Sequence, residues 1–288
     1  MFLARLRHAS LGDLCRKLYF KVFRKFARNR VIKYEIKPIS NLEESISFRF
    51  FNRRISCTVN ELLQVVDGCL KVSELDPQSM PEADSDPRYI WEFHRLTFLH
   101  SDLLSNDNKK HGLADVELLH TETAFLLLNR WLAANSDYKG ANWASAMESA
   151  YRLISILSRF YNDEVSERLS SDQMSFLDSL CDMHCRHIKA GLSLGSSLNN
   201  HTVVEYCALF LDAGTRGGDA KAIKRWAKVL QSTLEDLYKE GVLLEYSTGY
   251  QVATQDVLDL LIASISPEFT RELAPLVKKA AEVSTAFE

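Results

Sequence analysis

Apolar residues recur at three- and four-residue steps through most of this chain, the spacing of a helix with one buried face. The pattern predicts helices over approximately 88–105, 115–134, 143–160, 171–190, 200–213, 219–240, 252–265 and 267–282. Asp115, Ser171 and Asp219 stand where N-caps are expected, and Ser266 precedes a proline at a first helical position. Gly191, Gly214 and Gly241 mark expected helix ends. Leu11, Leu14, Cys15, Leu18, Tyr19, Val22, Phe23 and Phe26 form a further stripe, and Arg16, Lys17, Lys21, Arg24, Lys25 and Arg28 fall largely between them. Only Ile46 to Cys57 reads as strand, and residues 72–88, rich in Pro, Asp and Glu, read as an irregular linker.

Helices joined by short connectors must each bury a face against a neighbour, so the expected class is all-α: a bundle, a solenoid or a closed toroid. No repeat of fixed period is present, which argues against consensus solenoids. Three regions are expected: a basic amphipathic arm over 1–37, an irregular segment with short strands over 38–88, and a helical domain over 89–288.

Composition agrees with this picture. The 288 residues hold eleven Gly and six Pro, about half the usual combined share, too little punctuation for a turn-rich β fold. No run approaches the length of an apolar membrane-spanning helix. Leu11 to Phe23 is interrupted by Asp13, Arg16, Lys17 and Lys21, so it does not read as a signal peptide, and the expected location is cytoplasmic, with the periplasm as alternative. Six scattered cysteines then read as reduced, buried thiols.

Charge adds one asymmetry. Residues 1–54 carry 14 Lys or Arg against 4 Asp or Glu, whereas the rest of the chain carries 21 against 34. A basic amphipathic helix can lie on an anionic membrane surface. The simpler reading is a helix docked on the acidic body with its lysines solvated. Neither a nucleic-acid partner nor a cofactor is expected, since no phosphate-cradling Gly loop, Gly-x-Ser-x-Gly elbow or His-Glu-x-x-His occurs.

Three segments carry candidate chemistry. Trp143, Glu148 and Arg152 lie along one predicted helix, where an acid and a base four apart read as a surface ion pair beside a core tryptophan. Asn199, Asn200 and His201 open another helix and either place amide and imidazole donors beside its N-terminal N–H groups, which suits a carboxylate, or form an ordinary Asn cap with an exposed His. Glu245, Tyr246, Ser247 and Tyr250 form a loop between helices that either positions a phenol for proton transfer or packs its aromatics onto the helical array. Cys181, His184, Cys185 and His187 share a helix, but one helix cannot wrap a tetrahedral ion, so no metal is expected and the reading is buried thiols with a half-exposed His.

In this order and spacing the three segments resemble the helical N-terminal half of the heparinase II/III-like polysaccharide lyases, a family that includes alginate lyases. The match runs over roughly residues 40–270 and extends upstream to Tyr89, Trp91, Glu92, His94 and Arg95. The resemblance implies an incomplete (α/α) toroid that binds an acidic polysaccharide and cleaves it by β-elimination at a uronic acid. It implies that Asn200 and His201 neutralise the uronate carboxylate and that Tyr250 is the base, the acid, or both. It further implies that Asn199, Trp143, Glu148, Arg152, Glu245 and Tyr246 bind substrate. Gln251 stands where the family often has His, and Glu240-Gly241 where Asp-Gly is usual. The family's β-sandwich domain, which supplies a further catalytic His, is expected to be absent or to come from a partner chain. A non-catalytic acidic-glycan-binding or assembly protein is the alternative, and relatives encoded with bacterial capsule or lipopolysaccharide synthesis fit a chain without export signal.

Overall fold

Ser45–Phe50 (β1) pairs antiparallel with Arg53–Thr58 (β2), in a register running from Ser45↔Thr58 to Phe50↔Arg53. The computed structural model describes residues 18–23, 42–43, 45–50, 53–69, 93–100, 113–135, 138–194, 199–245 and 247–285. β2 feeds directly into α1 (Val59–Val66) through a reciprocal cap, in which Thr58 Oγ1 accepts from the Glu61 amide and the Glu61 carboxylate accepts from the Thr58 amide. The linker read over 72–88 lies outside the described residues, as do most of the predicted N-terminal helix and Cys15.

From there the chain is helical: α2 (Leu113–Ala134), a 3₁₀ turn (Ala141–Trp143), α3 (Ala146–Phe160), α4 (Asp163–Ser166), α5 (Ser171–Gly191), α6 (Asn200–Thr215) and α7 (Ala220–Leu237). A two-residue hairpin, β3 (Tyr238–Lys239) and β4 (Val242–Leu243), precedes α8 (Thr248–Ser264), α9 (Pro267–Thr270) and α10 (Ala274–Ser284). Helix accounts for 76% of the described residues, so the fold is all-α.

Several expected boundaries are corrected, each for a local reason. The helix expected over 88–105 is, at residues 93–100, a helical turn followed by a 3₁₀ turn over Thr97–His100, broken at Leu96, whose φ of 62° is left-handed. The cap of α5 is Ser170, not Ser171, because Ser170 completes a capping box with Gln173. The helix expected over 219–240 stops at Leu237, and Glu240 and Gly241, at φ 54° and 84°, turn the chain as a tight hairpin. A Cβ at Gly241 would lie 2.5 Å from the Lys279 carbonyl, so glycine is required there twice over. Pro275 divides the helix expected over 267–282, since its ring cannot continue the preceding turn. Gly214 lies inside α6 and does not end it.

The helices alternate. α3, α6 and α8 touch one another in succession, α5 packs on α3, α7 packs on α6, and α10 packs on α8. Beneath the row lies a polar knot inside an aromatic shell. Arg152 of α3 has no solvent exposure; its guanidinium lies 4.9 Å from the ring centre of Trp131 and 4.8 Å from that of Trp143. It donates to the Asn142 carbonyl (2.7 Å), Ser149 Oγ (2.9 Å) and His184 Nε2 (3.1 Å). Because His184 Nε2 accepts, Nδ1 carries the proton and donates to the Leu180 carbonyl. Likewise His187 Nε2 donates to the Trp143 carbonyl, leaving Nδ1 to accept from Ser149. Every neighbour that Arg152 touches is neutral, and burial draws its pKa down to about 9, with Glu148 opposing and Arg95 adding to the shift.

This knot overturns two expectations. His184 and His187 are fully buried, not half-exposed, while Cys181 and Cys185 are buried as expected. Arg152 and Glu148 are not a surface ion pair: both are buried, and Glu148 pairs with Arg95 instead. The thiols are free, but Cys69 is exposed. No helix among the described residues is long and apolar enough to cross a membrane.

Gln251 makes a second knot. Its Oε1 accepts from the Leu243 amide at 2.7 Å, and its Nε2 donates to the Gly241 carbonyl (3.0 Å), Ser284 Oγ (3.2 Å) and the Ala280 carbonyl (3.3 Å). One buried amide thus ties hairpin, α8 and α10. Two stability outcomes follow. Arg152→Ala leaves a void and strands His184 and Ser149, and is expected to cost about 3–5 kcal/mol in urea unfolding. Gln251→Ala strands a buried N–H and is expected to cost about 2–4 kcal/mol in the same assay; a loss near zero would show the knot to be dispensable.

Candidate functional site

The three motif segments converge for a simple reason. Glu148 lies in the first turn of α3, Asn200 and His201 open α6, and Ser247 caps α8 just after Glu245. The helices that form the row therefore bring these three N-terminal ends to one place. The Asn200 amide donates to Glu245 Oε1 at 3.2 Å, which joins the second segment to the third. Half-buried His201 joins both to the first. Its pKa is lowered by burial, while Glu245 and then Glu148 pull upward and Arg95 adds to the lowering.

Arg95 is the residue that motif reading placed only at the edge of the resemblance. Its guanidinium grips Glu148 with both arms, Nε to Oε2 at 2.9 Å and Nη2 to Oε1 at 3.0 Å, and lies 4.2 Å over the Tyr151 ring. Its carbonyl accepts from Ser155 Oγ at 2.9 Å. Glu148, Tyr151 and Ser155 step along one face of α3, so a polar stripe at three- and four-residue spacing was the available signal. A buried glutamate calls for such a partner.

The donors and acceptors divide by type. Asn200 turns its Oδ1 to the His201 amide at 3.0 Å, and neither its NH2 group nor the His201 ring is engaged among the described residues. Asn199 is the N-cap residue of α6 but caps with no side-chain bond, and its Oδ1 is buried without a partner, as is Glu245 Oε2. Unengaged donors thus face an anion-favouring helix end beside orphaned acceptors, and orphaned buried groups in a native fold call for an explanation.

Other expected positions fall elsewhere. Trp143 and Arg152 are fully buried and support the site from beneath rather than lining it. Tyr250 is not in a loop but on the first turn of α8, half exposed, and its phenol has no charged or hydrogen-bonded partner among the described residues. Tyr246 lies outside the described residues. Gln251 points away into its own knot. No cluster of metal-ligating side chains occurs among the described residues.

No family model, curated protein or solved structure matches the chain. The functional reading accordingly rests on the residues and their placement.

One buried acid braces the approach to α6. Glu205 accepts from the Ser193 amide and hydroxyl, each at 2.7 Å, and Thr202 Oγ1 donates to the Ser193 carbonyl at 2.9 Å. Burial raises the Glu205 pKa from an ordinary 4.5 to about 7, against the lowering effect of the Ser193 bonds. Between those values the folded chain holds a proton that the unfolded chain has lost, so stability falls as pH rises from 4.5 through 7 and is level above. The expected loss is up to about 3 kcal/mol, read as urea unfolding at pH 5 and pH 8. Glu205→Gln is expected to flatten that difference; an unchanged slope would assign the titration to another group.

Proposed function

We propose that this chain is the helical toroid of a heparinase II/III-like polysaccharide lyase, acting by β-elimination at a uronic acid of an acidic polysaccharide. The observation that carries the reading is the gathering of Glu148, Asn200, His201 and Glu245 at three pooled helix N-termini. The alternation of an α3–α6–α8 row with α5, α7 and α10 supports a toroidal layout.

The chemistry fits the division of donors and acceptors. Removing the proton at C5 of a uronate builds negative charge onto a carboxylate that is already an anion. Neutral donors, here the Asn200 NH2 and the His201 ring, together with the end of α6, stabilise that charge as it forms. Tyr250 then removes the C5 proton; the electron pair forms the C4–C5 double bond, and the C4–O bond breaks with a proton returned to the leaving oxygen. Arg95 acts as a positioning residue, holding Glu148 in place within the field at His201.

A second reading, a glycan-binding protein without turnover, is favoured by one observation. Tyr250 stands without a charged partner, and Gln251, beside it, is committed to the hairpin and α10. Ultraviolet absorbance of the unsaturated product, on a panel of alginate, heparan, chondroitin and capsular polysaccharides, separates the two. Tyr250→Phe and His201→Ala are each expected to lower the rate about 100-fold or more. Binding by calorimetry without any absorbance rise would establish the second reading, and silence in both assays would reject both.

A further inference from the structure

The helical stretch over residues 18–23 has two apolar sides, and only one is used. Phe20 packs at a tilt against His187 with ring centres 5.1 Å apart, and Phe23 lies 5.1 Å from the Tyr138 ring. The Phe20 ring fills the place of a side chain at Gly191, where a Cβ would come within 2.5 Å of it. These two rings dock the helix on α5 and the loop before α3. Residues step about 100° around a helix, so Leu18, Val22 and Tyr19 form a neighbouring stripe. That stripe faces solvent, with exposures of 63%, 47% and 60%. Three large apolar side chains within five residues, left bare beside a docked face, form a patch rather than scatter.

The charge around the patch says what covers it. Lys21 is exposed on the same helix, and Arg186 and Lys189 are exposed on α5 beside the dock, Arg186 close to the Tyr138 phenol. Asp182, the acid nearest to them along α5, is already paired with Arg216. The sequence on either side adds Arg16, Lys17, Arg24, Lys25 and Arg28. We propose that Leu18, Tyr19 and Val22, with the exposed cations Lys21, Arg186 and Lys189 near them and a basic sequence on either side, seat the protein on an anionic lipid surface, with Phe20 and Phe23 anchoring that helix to the body. An apolar stripe with a basic surround is the arrangement of helices that lie in the membrane interface, and each added cation strengthens adsorption to an anionic leaflet. The inference stands apart from the lyase reading, since it uses none of the same residues.

Co-sedimentation of the full chain with vesicles tests it. Binding is expected to vesicles of phosphatidylcholine with phosphatidylserine, to weaken with added salt, and to be absent with phosphatidylcholine alone. Leu18→Glu with Val22→Glu is expected to lower the partition coefficient about tenfold or more, with an unchanged urea midpoint because both side chains face solvent. Leu18→Ser with Val22→Ser serves as a milder second variant should the first unfold. No binding to anionic vesicles, or equal binding by wild type and both variants, overturns the proposal. So does concentration-dependent self-association that the same variants abolish, which would make the patch a contact between copies.

Discussion

A cation with no carboxylate in direct contact lies at the centre of this molecule, and much of the structure is arranged around keeping it there. Arg152 lies against two indoles; its Nε and Nη2 donate to an imidazole, a carbonyl and a hydroxyl, while Nη1 is buried without a partner. Such a site is costly to desolvate, and it persists only because each acceptor is itself held by a further bond. The protons on His184 and His187 are consequently not free to move: each imidazole has one nitrogen donating to a carbonyl and one accepting. That fixes α3 against α5 and fixes the 3₁₀ turn that carries Trp143. From this base the first turn of α3 projects Glu148 toward the other two helix ends.

Those ends carry the electrostatics of the candidate site. Burial, two glutamates and one arginine act on a single half-buried imidazole. The arginine is already spent on Glu148, so the net local field favours a donor role for His201 only as far as burial permits. Under the proposed lyase reading, a uronate carboxylate entering here would meet neutral donors and partial charges rather than a bare cation, an arrangement that neutralises charge as it develops.

The helical class and most helix positions were legible because apolar spacing depends on which face is buried, and α5, α7 and α8 each keep an exposed face, while α3 and α6 are buried almost all round. The boundaries failed where backbone geometry decided instead. Leu96 adopts a left-handed conformation that no spacing rule anticipates, while Pro275 and Glu240-Gly241 carried their signals openly and were outweighed by longer apolar patterns. At the site, the family resemblance brought Glu148, Asn200, His201 and Glu245 onto one short list; read singly, the three segments gave no sign of meeting. Trp143 lies in the core as the residues suggest, but Glu148, Arg152 and the histidines of α5 were misjudged because polarity was taken for exposure. Arg95 stood only at the edge of the resemblance: the polar stripe on α3 signals that a partner is needed, but that partner lies 53 positions away.

The Gln251 amide has a consequence for how the molecule comes apart. By binding the hairpin, the first turns of α8 and the last turns of α10 at once, it joins segments that chain order would let fray separately. Terminal helices ordinarily exchange their amide protons first. Here α10 is bolted to the loop that carries Glu245, so its opening releases the site as well, and the far end of the described chain becomes a clamp on the chemistry rather than a loose tail.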